Sequence, residues 1–311
     1  MHRLIVTFVL SCGLIACSRG RNPTGPGTVK LHEQSVEVRA LRTGQLVIGA
    51  SIQSQGGQTA VTSPDGSAVL IIANGETGNI TAAGFIPKRG ISFQGGRQIE
   101  YLWEDDAQLP LQFTKELVYG FNQNGIKHLE RPVAPVLTVQ TDQAILVDRR
   151  MEYDLPEALT TVNAVLGQSR TGSTTTFVLD PAATAPLVSI ALNPDNRENP
   201  GELTWTYIED VGSVVHCRIE FQTTRAFWGI HLQRALQHAF AHCLGMVHAP
   251  SYPGIMGGRE TNPSLEFTWM EQQVMRNIFR RPPGNQAPDN APGMTAASPR
   301  RSYKVCALRT S

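Results

Sequence analysis

Residues 238–248 read His-Ala-Phe-Ala-His-Cys-Leu-Gly-Met-Val-His, which puts three histidines and a glycine at HxxxHxxGxxH spacing. This spacing constrains the fold more than any other part of the chain. His238 and His242 are four apart, so on a helix their imidazoles point the same way, one turn apart. Leu232, Leu236, Phe240 and Cys243 recur every three or four positions and predict a helix over 230–244. Gly245 can take the left-handed conformation that ends a helix. The chain can then turn back and bring His248 to the other two. Three neutral imidazoles converging on one point make a zinc site with a fourth position open. An isolated HxxxH is more often a surface or core pair, and it is the added glycine and third histidine that make a metal site the expectation.

The segment resembles the metzincin zinc peptidases, whose signature is HExxHxxGxxH followed by a Met-turn. Ser251-Tyr252-Pro253-Gly254-Ile255-Met256-Gly257 looks like that turn, with Met256 as the hydrophobic floor under the metal. Matrixin-like bacterial lipoproteins are the nearest kin it suggests. The resemblance covers roughly 130–282 and is specific only in 238–257. It implies a zinc metalloendopeptidase, an α+β domain over 112–284, and a cleft at the zinc that takes a peptide or protein. One departure matters. The family's glutamate follows the first ligand, and here that position is Ala239. That glutamate moves a proton from the attacking water to the leaving amine, which alanine cannot do. No certain catalytic residue remains. Gln237 cannot titrate, and His231 lies about 10 Å up the helix axis from His238. Glu209, Asp210, Glu220 and Glu260 are the carboxylates that could approach, and solvent is the commoner place for each.

The N-terminus reads as an export signal. His2 and Arg3 lead into an apolar run from Leu4 to Ala16, broken only by Thr7, Ser11, Cys12 and Gly13. Leu14-Ile15-Ala16-Cys17 resembles the lipobox of bacterial lipoproteins. It implies a signal over 1–16, lipid on Cys17, and a cell-envelope protein held at the outer membrane, with residues 17–28 as a flexible Gly/Pro/Ser/Arg-rich tether. Cys217, Cys243 and Cys306 remain in an oxidising compartment, an odd number that allows one disulfide and one free thiol. Cys217 and Cys243 flank one segment, but sequence does not assign the pair.

Residues 29–105 read as short strands: Val36–Val38, Leu46–Ile48 leading into Gly49–Ile52, Ala68–Ile72 and Asn79–Thr81. Turns fall at Gln55-Gly56-Gly57, Ser63-Pro64-Asp65-Gly66 and Asn74-Gly75. This predicts a small all-β sandwich. The order of its segments resembles carboxypeptidase regulatory-like domains, which implies a transthyretin-like fold. No cluster of catalytic residue types falls there, so a spacer or adhesive module is the expectation. A joint follows at Tyr101–Pro110. The second domain shows strands at Val136–Val139, Phe177–Leu179, Leu187–Leu192, Leu203–Ile208 and Val214–Phe221, and a helix over Pro156–Leu166 with proline near its start. A last helix over Thr268–Phe279 opens with the capping box Thr268 and Glu271. The tail from 285 to 311, rich in Pro, Ala and Ser, reads as disordered.

Net charge is +1, from 27 basic and 26 acidic residues, which argues against a general nucleic-acid binder. Three readings of function follow. The first is a zinc metalloendopeptidase impaired by Ala239. The second is a pseudoenzyme that binds peptide or protein at a zinc-bearing cleft. The third is a surface adhesin in which zinc only staples the fold.

Overall fold

The alternation of apolar and polar residues in the first third of the chain produces seven strands: β1 (Leu31–Ala40), β2 (Ser51–Ser54), β3 (Thr59–Val61), β4 (Ser67–Ala73), β5 (Thr77–Thr81), β6 (Lys88–Ser92) and β7 (Gly96–Leu102). The computed structural model describes residues 30–121, 127–129, 132, 134, 136–142, 149–167, 175–192, 201–208, 213–221, 231–259, 266–281, 285 and 300–308. The expected export signal over 1–16, Cys17, the expected tether, Glu209, Asp210 and Glu260 lie outside them. Two sheets form, in the orders β4-β1-β7 and β3-β2-β5-β6. β1 runs antiparallel to β4 and parallel to β7. Val36, Val38, Leu70 and Ile72 from one sheet share a buried cluster with Ile52, Ile80 and Ile91 from the other. On β1, Glu37 is buried and paired with Arg39 and Arg97, which hold its carboxyl below the usual range, the Arg97 contact most of all.

The run expected from Leu46 into Ile52 is strand only from Ser51, where β2 begins. At Leu46–Ile48 only Leu46 bridges to Arg39. Gly44 (φ 71°) and Gly49 (φ 77°) turn the chain at both ends of the segment. The buried Thr62 hydroxyl donates to Val47 O at 2.7 Å and accepts from Ala50 N at 2.8 Å. A side chain therefore satisfies backbone groups that a ladder would otherwise pair.

The remaining elements are α1 (Leu111–Val118), β8 (Tyr119–Phe121), β9 (Lys127–Leu129), β10 (Val136–Thr141), α2 (Arg149–Gly167), β11 (Thr176–Leu179), β12 (Val188–Leu192), β13 (Gly201–Ile208), β14 (Ser213–Phe221), α3 (His231–Cys243), β15 (Ala249–Pro253), β16 (Gly257–Arg259), α4 (Trp269–Asn277) and β17 (Arg300–Leu308). A mixed six-stranded sheet has the order β11-β10-β12-β14-β13-β17. Helix α2 begins well before Pro156, which sits inside it. The lost amide bond there is outweighed by buried Met151, Leu155, Ala158, Leu159 and Val162, which continue one apolar face across the proline.

Within the tail read as disordered, Asn285 and Arg300–Leu308 depart from that reading. Asn285 is buried and accepts from Tyr119 Oη at 3.0 Å. β17 pairs antiparallel with β13 along its length, so the sheet supplies bonds that local composition does not announce. The larger core spans Phe113, Leu137, Val162, Ile190, Phe221, Leu236, Phe240 and Met256, and it also takes in Leu41, Ile86 and Trp103 from the first third. Arg281, 1% exposed, crosses between these parts. It stacks over Trp103 at 5.4 Å and donates from Nη1 to Tyr101 O at 2.7 Å. Leu31–Ser311 forms one unit by its contacts. Among the described residues no helix is long and apolar enough to cross a membrane. The whole is β-rich, with several sheets and a few helices.

Candidate metal centre

Helix α3 carries the first two histidines, and its end delivers the third. Leu232, Leu236, Phe240 and Cys243 are fully buried and fix which face of the helix meets the core. Gly245 has φ 100°, the left-handed region that suits glycine. Its N–H donates to His242 O at 2.7 Å, and Met246 N–H donates to Ala241 O at 3.1 Å. These are the two crossed bonds of a Schellman ending. Val247 N then donates to Leu117 O on α1 at 2.6 Å, and Ala249 N to Met256 O at 2.9 Å. The chain is pinned on both sides of His248.

The three Nε2 atoms converge. They stand 2.9 Å apart for His238–His242, 3.3 Å for His242–His248 and 3.1 Å for His238–His248. Nitrogens held tetrahedrally at about 2.0–2.1 Å from one ion lie about 3.3 Å apart, so the triangle fits a metal ion and is compatible with zinc. The other ring nitrogens set the proton positions. Nδ1–H of His238 donates to Ile255 O at 2.8 Å, and Nδ1–H of His242 to Met246 O at 2.7 Å. Both Nε2 atoms then carry lone pairs aimed at one point. Burial opposes protonation. It pushes the His238 pKa down from 6.5 to about 4, and the His242 pKa well below 6.5. Neighbouring His248 adds to both shifts. Lone pairs this close repel unless a cation lies among them, and a proton is disfavoured there. A metal ion is the occupant these donors suit.

Burial is graded across the site. His242 is buried, His238 partly so, and His248 exposed. The metal position is therefore open to solvent on the His248 side. The turn Gly254–Met256 borders the site. Its Ile255 carbonyl orients His238, and its Met256 side chain is fully buried. Glu271, 1% exposed, anchors this turn. Its Oε1 accepts from Met256 N at 2.7 Å, while Oε2 accepts from Thr268 N at 2.7 Å and Thr268 Oγ1 at 2.9 Å. A Cβ at Gly254, where φ is 146°, would stand 2.4 Å from the Glu271 Oε1 atom. Glycine is required there because the carboxylate fills the space.

His238, His242 and His248 thus come together as the spacing implies, with Gly245 at the helix end. Ala239 is fully buried beside the first ligand. Among the described residues no carboxylate or thiol joins the cluster. Glu220 pairs instead with Arg218 on β14, at 2.5 Å. Cys217 and Cys243 form a disulfide with Cα atoms 5.6 Å apart, tying the residue after His242 to the central sheet. Three contributors escape a sequence reading. The Ile255 and Met246 carbonyls leave no signal in side-chain identity. Glu271 is visible as a capping residue, but its hold on Met256 is not.

No known protein family matches this chain, and no curated protein does. Among solved structures, the Bacillus anthracis TIE protein is similar over 61% of this chain at 12% identity, with a TM-score of 0.20. The chain spans 24% of that protein's length. A likeness of that size carries no argument about fold or activity.

Proposed function

We propose that the chain is a lipid-anchored envelope protein with a zinc site of metzincin type. It takes peptide or protein at the metal, and its peptide hydrolysis is impaired by Ala239. The observation that carries this reading is the convergence of three Nε2 lone pairs, two of them oriented by backbone carbonyls. The exposure of His248 supports an open coordination side over a sealed structural ion. A zinc ion held there would supply Lewis acidity to a substrate carbonyl. The chain's own part is to keep two imidazoles in the ligating tautomer, exclude water behind Met256, and leave one side open. Ala239 gives the reaction no proton acceptor, so turnover is expected to be weak. On the same reading, the first third is a transthyretin-like, carboxypeptidase regulatory-like module, and Cys17 carries the lipid.

Metal analysis of purified protein is expected to find about one zinc per chain, with none in a variant carrying His→Ala at 238, 242 and 248. Unchanged zinc in that variant would overturn the site. Weak cleavage of an unfolded protein that a chelator abolishes would support the impaired peptidase. Tight peptide binding without turnover would place the chain with pseudoenzymes. Zinc loss that melts the fold, with no peptide binding, would leave only a staple.

A further inference from the structure

Arg234, His238 and His242 follow one another at intervals of four along α3. On a helix such residues form one row, with the Cβ atoms of successive members about 6 Å apart. The arginine therefore stands one turn from the first ligand, on the side of the helix that bears the metal site. Arg234 is partly exposed, as His238 is. Burial does most to lower the His238 pKa, and the charges of His248 and Arg234 add to it. A guanidinium has five N–H donors. Among the described residues, those of Arg234 have no hydrogen-bond or ion-pair partner. The first turn of α3 carries no acid. Two acids touch the segments around the site, and both are engaged. Glu116 accepts from Gln112 Nε2 at 2.9 Å and from Ser251 N at 3.4 Å. Glu271 accepts from Met256 N and Thr268 N, both at 2.7 Å.

Three neutral imidazoles leave the charge of a divalent ion unbalanced, and no carboxylate joins them among the described residues. Ala239 adds no negative charge beside the first ligand, and Arg234 adds a positive one. The charge around the metal position thus favours an anionic partner. We infer, on the reading that this centre takes peptide at a metal ion, that the peptide is acidic and that one of its carboxylates pairs with the Arg234 guanidinium, one turn from His238. The planar fork of arginine matches the two oxygens of a carboxylate. Both an acidic side chain and a chain's C-terminus supply such a group. A basic peptide meets like charge from the arginine and from the metal, and is disfavoured.

Calorimetric titration of the zinc-loaded full chain with pentapeptides tests this, at fixed ionic strength. The reference peptide has a central Gln and is blocked at both ends. A central Glu, or a free C-terminal carboxylate, should tighten binding at least about tenfold. Which of the two does so tells whether the arginine reads side chains or chain ends. A central Lys should weaken binding. Arg234→Gln should abolish the carboxylate preference, with the reference affinity, zinc content and unfolding midpoint close to those of the wild type. Arg234→Glu should favour the Lys peptide instead. Failure of the inference and failure of the reading beneath it look different. If no peptide binds the zinc-loaded chain, the peptide-binding reading falls and the inference with it. If peptides bind in a zinc-dependent way whatever their charge, only the inference falls. A carboxylate preference that survives in Arg234→Gln would place the carboxylate on the metal and overturn it. Zinc lost from Arg234→Gln would make the arginine a support of the centre and overturn it too.

Discussion

Ala239 has no exposed surface and follows the first ligand directly. A carboxylate placed there would be largely desolvated, which raises its pKa towards the range a general base needs. Ala239→Glu is expected to raise chelator-sensitive hydrolysis of a generic peptide by at least about 100-fold, the lower end of such a group's contribution. Zinc content should stay unchanged. If the variant keeps its zinc and gains nothing, the site lacks more than a base. The histidines themselves predict a pH window for the metal-free protein. In the unfolded chain they bind protons below about 6.5, whereas in the fold His238 waits until about 4 and His242 lower still. The unfolded state therefore binds more protons between those values, and acid favours it. Stability should hold above pH 6.5 and fall as pH drops towards 4, by up to about 1.4 kcal/mol per pH unit for each ring. Denaturant midpoints of metal-free protein across that range check it. A flat profile would mean that the rings gain protons in the fold as readily as they do when unfolded.

At the scale of elements, the metal centre is an arrangement of ends and turns. The Schellman ending of α3 aims His248, and the turn Gly254–Met256 borders the site and orients His238. The N-terminus of α4 supports that turn through one carboxylate. The Thr268–Glu271 capping box is legible in sequence and forms with both of its bonds. Sequence does not show that Glu271 also takes the Met256 amide. Glu271→Gln replaces one acceptor oxygen with an amide group facing N–H donors. It should cost about 1–3 kcal/mol in unfolding free energy. It should also weaken zinc binding about 10- to 100-fold, the usual effect of a partner one step removed from a metal. Competition with a chromogenic chelator measures the second effect. Unchanged affinity in a destabilised variant would limit Glu271 to capping.

For the whole molecule, the first third and the rest meet through buried apolar groups, and Arg281 spans the junction on the Trp103 ring. The proposed export and anchoring belong to this scale. The Leu-Ile-Ala-Cys run after a short apolar segment motivates the expectation that Cys17→Ala moves the protein from the membrane fraction to the soluble one. A variant still acylated and still membrane-bound would place the anchor elsewhere.

Local rules made much of the fold readable from the sequence alone. Period-two alternation marks β4, and apolar residues three and four apart mark α3. Gly245 with three histidines at fixed spacing marks the metal centre, because helix geometry converts sequence separation into direction. Other features depend on partners distant in the chain. The Thr62 hydroxyl replaces a strand at Leu46–Ile48. β17 exists because β13 offers an open edge, and Cys217 finds Cys243 because β14 lies beside α3. The ring tautomers of His238 and His242 depend on carbonyls, which every residue carries and no residue type announces. Backbone groups and long-range neighbours become specific only once the chain has packed, so only the tertiary structure decides them.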